Sequence, residues 1–160
     1  MGEPGSERPE EPGRPERPEL SVGAVVVHDG ELLLVRRGRG AAVGAWSVPG
    51  GRVERGEPMA EAVRRELREE TGLVASSVEH LGFVERIDED WHFVIHDFLV
   101  AIDDRRGAQP ADDADDIDWV PLAEMRTRPG VVPGLVEFLD SVGVLPPAVS
   151  DPSTAGDASR

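Results

Sequence analysis

Two apolar runs lie close together near the start of the chain, in the segment SVGAVVVHDGELLLVRRG, residues 21–38. Valine, leucine and alanine dominate both runs, and aliphatic runs of this length are typical of strands. His28, Asp29 and Gly30 separate the runs, and Asp-Gly is a strong signal for a tight turn. The pattern predicts two antiparallel strands joined as a hairpin.

A helical period follows in residues 59–71. Met59, Val63 and Leu67 recur every four residues, which places them on one side of a helix. Pro58 suits the first turn, and Gly72 can end the helix in a left-handed conformation. We expect an amphipathic helix whose apolar side faces the core.

Strand-like runs return in the second half of the chain, in SVEHLGFVERI and WHFVIHDFLVAI. A short strand should end at Pro121, with a turn or helix over 122–125, and residues 134–142 favour a final helix. Strands and helices mix without a regular βαβ alternation. The expected fold class is therefore α/β (α+β), a sandwich built on a mixed β-sheet.

Both ends of the chain are rich in proline and in charged or small residues, and such segments cannot bury enough apolar surface to offset their ordering entropy. The sequence predicts a disordered tail over residues 1–19, one domain over 20–145 and a second disordered tail over 146–160. Neither end reads as a signal peptide, and no apolar run approaches the roughly 20 residues that cross a bilayer. We expect a cytoplasmic protein with no membrane partner.

The formal net charge is −15, and the chain has no cysteine. Residues 1–19 carry six acidic and three arginine side chains, a net charge of −3. Residues 146–160 carry two acidic side chains and one arginine, a net charge of −1, so −11 of the −15 falls on the predicted domain. An acidic surface disfavours long nucleic acid as a partner. The composition favours a small substrate held by local cations, excludes thiolate metal sites and leaves a homodimer open.

Three carboxylates crowd onto one side of the predicted helix. Glu66, Glu69 and Glu70 are neighbours at helical spacing, where like charges repel. Clustered carboxylates are the usual ligands of Mg²⁺, and a bound cation turns their repulsion into affinity. Taken alone, the same residues also fit a solvated acidic helix face interleaved with arginines.

The spacing upstream of the glutamates favours the metal site. Gly51 is followed by five residues and Glu57, then by seven residues and the segment RELREETGL, residues 65–73. This pattern resembles the Nudix box of the Nudix hydrolases, G-x5-E-x7-R-E-U-x-E-E-x-G-U with U aliphatic, at every defined position. The resemblance covers residues 51–73, and the preceding GAWSVPGG is similar to the segment that often enters the box in that family.

The resemblance implies a hydrolase that acts on a nucleoside diphosphate linked to another group, X, with Mg²⁺ or Mn²⁺ as cofactor. It also implies a Nudix α/β/α sandwich around a mixed β-sheet. By matching positions, Glu66, Glu69 and Glu70 would be the metal ligands, and backbone carbonyl oxygens at residues 50–51 could add a further ligand.

Other roles follow from the same matching positions. Arg65 and Glu57 would fix the loop and orient the glutamates. Glu69 is the first candidate for the general base, with Glu66 or an acid outside the box as alternatives. The expected catalytic set is therefore Glu69, Glu66 and Arg65.

Outside the box, acids precede a tryptophan in DDADDIDWV. An acid before a tryptophan-bearing strand is often found in the family, so Asp113, more than Asp116, is a candidate for an additional metal ligand; a solvated acidic loop is the alternative. Arg36 and Arg37 end the second strand and could bind substrate phosphate, since guanidinium geometry suits it. They could equally be a charged strand end.

His92 and His96 lie four residues apart and share one face of a strand. That face could line a substrate cleft, although sheet histidines more often serve the fold. Trp91 could stack against a base, although packing is the more common role for such a residue.

The particular substrate does not follow from the residues. The chain has no asparagine and no tyrosine, and it lacks the proline some sixteen residues past the box that marks ADP-ribose pyrophosphatases. It also lacks the arginine-rich coenzyme A pyrophosphatase signature. A nucleotide-binding regulator without catalysis is the alternative function, but such boxes usually lack glutamates and this one has all of them.

Overall fold

The computed structural model describes residues 17–40 and 42–148 and contains the predicted hairpin. Strand β1 spans Glu19–His28 and strand β2 spans Glu31–Arg37. Asp29 and Gly30 have φ values of 50° and 78°. Two successive positive φ values define a type I′ turn, whose twist matches that of the flanking strands. The Asp-Gly signal is thereby confirmed.

Five further strands complete a seven-stranded sheet: β3 Trp46–Ser47, β4 Gly50–Arg52, β5 Ala75–Ile87, β6 His92–Ile102 and β7 Ala114–Pro121. Strand β1 runs parallel to β6 and antiparallel to β4, while β5 runs antiparallel to β6. Strand β2 pairs antiparallel with both β3 and β7. The sheet is mixed, as the sequence predicted.

The helical predictions are also confirmed. Helix α1 spans Met59–Thr71, and Val63 and Leu67 on its apolar side are fully buried. Gly72 ends this helix with φ 74°, and its N–H donates to the Arg68 carbonyl. A 3₁₀ helix spans Leu122–Thr127 and helix α2 spans Leu135–Ser141.

Two hydrophobic clusters lie on opposite faces of the sheet. Alternating residues of β1 divide between them, with Val22, Ala24 and Val26 packing toward α1 and Val25 packing toward α2. This alternation is the period of two that a strand imposes on its side chains. The molecule is therefore an α/β/α sandwich, and the fold class predicted from the sequence is confirmed.

The predicted domain bounds stay a prediction. Strand β1 begins at Glu19, which pairs with Phe93. At the other end Leu145 is buried, and Arg126 Nη1 donates to the Pro146 carbonyl at 2.8 Å. The greater part of both predicted tails, residues 1–16 and 149–160, lies outside the described residues. Within the described part of the chain, no helix is long and apolar enough to cross a membrane.

Candidate active site

The glycine loop brings backbone and carboxylates together. Gly50 pairs with Gly23 of β1, and its N–H donates to Glu70 Oε2 at 3.0 Å. A Cβ added at Gly51 would lie 2.4 Å from Glu66 Oε1. Such an approach is open only to a residue without a side chain. Gly50 and Gly51 thus let helix α1 place two carboxylates directly against β4.

Arg65 joins the loop to the helix. Its Nε and Nη2 donate to the two oxygens of Glu57 at 2.7 and 3.0 Å, a bidentate pair. Its Nη1 donates to Glu66 at 2.8 Å and to Glu69 at 3.1 Å, and its Nη2 also reaches the Arg52 carbonyl at 3.1 Å. The supporting role of Arg65 and Glu57 stays a prediction, and these contacts show how the two residues join the loop to the helix. The hydrogen bonds from Arg65 hold the pKa of Glu57 below its usual value.

The three glutamates of the box occupy different environments. Glu70 is 7% exposed, and burial raises its pKa to about 8, because the hydrogen bond from Gly50 offsets only part of the lost hydration. Burial also raises the pKa of Glu66, against the opposing effect of Arg65. Glu69 is the most open of the three, with a side chain 43% exposed. The buried pair and the open carboxylate are therefore suited to different tasks.

All three glutamates line one cavity of about 470 Å³, which lies within the range of small-ligand sites. Six carboxylates line it against four guanidinium groups, so its walls carry a net −2 when all are ionised. The carboxylates belong to Glu66, Glu69, Glu70, Asp97, Asp112 and Asp113, and the guanidiniums to Arg37, Arg39, Arg52 and Arg86.

The donor chemistry of this wall fits a hard divalent cation, since carboxylate and carbonyl oxygens suit Mg²⁺ and Mn²⁺. The side chains are not gathered around a metal position, however. Over residues 17–40 and 42–148, no three histidine or carboxylate side chains form a group that could hold a metal ion as they stand. The Arg65 guanidinium instead binds both Glu66 and Glu69. A cation would have to draw the carboxylates together.

The structure separates the two predicted arginines and the two predicted aspartates. Arg37 lines the cavity, whereas the Arg36 guanidinium packs over the Trp46 ring, 5.8 Å from its centroid. Asp113 lines the cavity and pairs with Arg39 at 2.5 Å, whereas Asp116 accepts a hydrogen bond from the N–H that follows it. Arg37 and Asp113 therefore line the cavity, whereas Arg36 and Asp116 make the local contacts just described.

The histidine face of β6 does not line the cavity among the described residues. His92 contacts Glu85 at 3.3 Å, and His96 Nδ1 lies 2.9 Å from His80 Nε2. The opposite face of β6 lines the cavity instead. Trp91 does line the cavity, and it also stacks on Phe93 with ring centroids 5.5 Å apart.

Several charged cavity residues escaped the sequence analysis, among them Asp97 of β6 and Arg86 of β5. Asp97 is 4% exposed, and burial raises its pKa to about 6. Burial and the nearby Arg37 lower the pKa of Arg86, whose guanidinium donates to the Pro133 carbonyl. One signal was present in the sequence, because an acid at position 97 continues the apolar face of Phe93 and Ile95.

Comparison with known proteins identifies the class. The sequence model of the NUDIX domain matches residues 17–142. The chain is 34% identical over 109 residues to an oxidized purine nucleoside triphosphate hydrolase of Danio rerio, across 63% of this chain and 68% of that protein. The chain therefore belongs to the NUDIX domain family, and the Nudix hydrolase expected from its sequence agrees with the names of its relatives.

One further relative matches only part of this chain, and one solved structure matches its fold. The chain is 38% identical over 73 residues to an ADP-ribose pyrophosphatase of Methanocaldococcus jannaschii, across 46% of this chain and 43% of that protein. The chain thus spans less than half the length of that relative. The crystal structure of a MutT NUDIX hydrolase from Burkholderia pseudomallei superposes with a TM-score of 0.71 at 28% identity, across 78% of this chain and 98% of the other.

Proposed function

We propose that the chain catalyses divalent-metal-dependent hydrolysis of a phosphoanhydride bond in a nucleoside diphosphate linked to a group X, by attack of water. The observation that supports this most directly is that all three glutamates of the box line one cavity, beside the glycine loop. A polyphosphate is an anion, and an acidic wall repels it unless cations enter as well. One relative is named for an oxidised purine nucleoside triphosphate and another for ADP-ribose. Each of these two nucleotides contains a phosphoanhydride bond.

Glu66, Glu69 and Glu70 are the proposed ligands of Mg²⁺ or Mn²⁺. The chemistry that such an ion supplies is neutralisation of the phosphate oxygens, which otherwise repel an attacking water. Arg65 holds Glu66 and Glu69 through one nitrogen. These hydrogen bonds keep the Glu66 and Glu69 carboxylates on the same side of helix α1, where a cation could draw them together.

Glu69 is the proposed general base, because it is the most open of the three carboxylates and lies at the cavity wall. A base must reach the water that it deprotonates, and buried Glu70 is already committed to the Gly50 N–H. Glu66 is the alternative base. Arg37 is the proposed phosphate contact, since it lines the cavity with the glutamates.

The test is turnover of a panel of nucleoside triphosphates, sugar nucleotides and dinucleotides by the full chain, with Mg²⁺, with Mn²⁺ and with chelator. We expect turnover only with metal. Replacing Glu66, Glu69 or Glu70 with Gln should lower kcat at least about 10²-fold for the most sensitive position, the low end for a general base. Glu61→Gln is the matched control, since Glu61 lies exposed on the same helix with a side chain 65% accessible.

Near wild-type rates for all three amide variants would overturn the metal assignment. Tight nucleotide binding without turnover under any metal would instead support the non-catalytic regulator. A cytoplasmic location, a homodimer and the exclusion of long nucleic acid stay predictions from the sequence.

A further inference from the structure

Asp97 is a largely buried residue whose carboxylate lies at the cavity wall. It is 4% exposed and lines the cavity, yet no described residue donates a hydrogen bond to it or pairs with it within 4 Å. Arg86 acts on it only through space. Its oxygens are not among the buried atoms that lack a partner in the described part of the chain, so they are open to the cavity. The carboxylate therefore has unused acceptor capacity at a cavity wall.

A glycine of strand β1 leaves space for the Asp97 carboxylate. Gly23 faces Asp97 across the β1–β6 pairing, and a Cβ at Gly23 would lie 2.0 Å from Asp97 Oδ1. Any other residue at position 23 would force the carboxylate to move. Glycine at this strand position fixes where Asp97 points, although glycine in a strand interior weakens it.

The surroundings of Asp97 suit a flat ring. Phe93 and Ile95 share its face of β6, and Phe138 of α2 lines the same cavity. The box lies two strands away, since β1 separates β6 from β4 and Glu70 binds the first residue of β4. Two strand spacings amount to roughly 10 Å, the scale that separates a nucleobase from its phosphates.

We propose that Asp97 recognises the nucleobase, accepting two hydrogen bonds from the neighbouring N1–H and 2-amino groups of a guanine ring. This inference rests on the proposed function, because it assumes that the phosphates lie at the glutamates. A carboxylate offers acceptors on both oxygens, and guanine is the common base with two adjacent N–H donors on one edge. Adenine presents a lone pair at N1, which faces a carboxylate unfavourably.

The test compares binding of GMP and IMP to the full chain by titration calorimetry in the presence of Mg²⁺. The two nucleotides differ only in the 2-amino group, and neither contains a phosphoanhydride, so binding is measured without turnover. We expect GMP to bind at least about tenfold more tightly than IMP and AMP, the low end for a hydrogen bond to a charged group. Asp97→Asn removes one acceptor oxygen and should bring the GMP:IMP ratio below about threefold.

Glu85→Gln is the matched control, because it removes a carboxylate from the exposed side of the neighbouring strand. It should leave the ratio unchanged. Equal binding of GMP and IMP to the unaltered chain, or no binding of GMP, overturns the inference without any variant having to fold. A ratio that survives Asp97→Asn overturns it as well. Clear GMP preference in a chain that hydrolyses no nucleotide would uphold the inference and refute the proposed function.

Discussion

Replacing Glu70 with Gln should stabilise the metal-free protein while damaging its activity. The substitution removes an ionisable group from a site that is 7% exposed, and the amide oxygen can still accept the Gly50 N–H. In the folded protein burial raises the pKa of Glu70 to about 8, whereas in the unfolded chain it is near 4.5. Between these two pH values the folded state holds a proton that the unfolded state has released.

The direction of the pH effect follows from that difference. Where the folded state binds one more proton, the free energy of unfolding falls by about 1.4 kcal/mol for each pH unit gained. From pH 5 to pH 7.5 this amounts to roughly 3 kcal/mol for wild type. The Gln variant lacks this titration, so its stability relative to wild type should rise over the same range by that amount.

Urea unfolding in chelator at pH 5, 6, 7 and 7.5 measures the difference, and other titrating groups cancel between the two proteins. Glu61→Gln, on the exposed side of the same helix, should show a difference that does not change with pH. Mg²⁺ should then stabilise wild type more than the Glu70→Gln variant, because a ligand stabilises the state that binds it. A wild type–variant difference that is constant, or that shrinks as pH rises, would refute the placement of Glu70 as a desolvated carboxylate.

Other substitutions separate neighbouring roles. Arg37→Ala should raise KM several-fold more than it lowers kcat, if its phosphate contact is equal in the ground and transition states. Arg36→Ala should leave KM unchanged, and the loss of its contact with the Trp46 ring should lower the free energy of unfolding by up to about 1 kcal/mol. Gly51→Ala should lower kcat/KM with a smaller loss of stability than Gly50→Ala, because its Cβ would meet only side-chain atoms, those of the Glu66 carboxylate. Gly50→Ala should lower the melting temperature sharply, since its Cβ would meet a backbone oxygen of β1 at 2.1 Å. Equal behaviour of the two members of either pair, in steady-state kinetics and thermal melts, would contradict the geometry.

Local patterns in the sequence were enough to predict helix α1 and the turn between β1 and β2. The four-residue period of Met59, Val63 and Leu67 predicted helix α1, and Asp29-Gly30 predicted the turn, because helix periodicity and turn chemistry depend on residues near in sequence. The box glutamates were predicted from residues near in sequence as well, by the resemblance of one loop and one helix to the Nudix box.

The rest of the site depends on long-range pairing. Asp97 lines the cavity because β6 runs parallel to β1, beside Gly23, and no local period reveals that pairing. Periodicity showed that His92 and His96 share a face, but it could not show which face of the sheet the substrate cleft would occupy. The sequence left Arg36 and Arg37 as equal candidates for the same reason: adjacent strand residues point to opposite faces, and the face of the cleft was not known.

Strand β1 changes its partner along its length, pairing with β4 through residues 21–23 and with β2 through residues 27–28, while it follows β6 throughout residues 19–26. Strand β1 thus joins the strand that carries Asp97 to strand β4, whose Gly50 N–H binds Glu70 of helix α1. Sheet hydrogen bonds therefore resist sliding of β6 relative to β4. The distance between the glutamates and Asp97 is therefore set by the sheet. If the phosphates bind at the glutamates and the base at Asp97, as proposed above, this spacing would select substrates by the number of bonds between the base and the scissile anhydride.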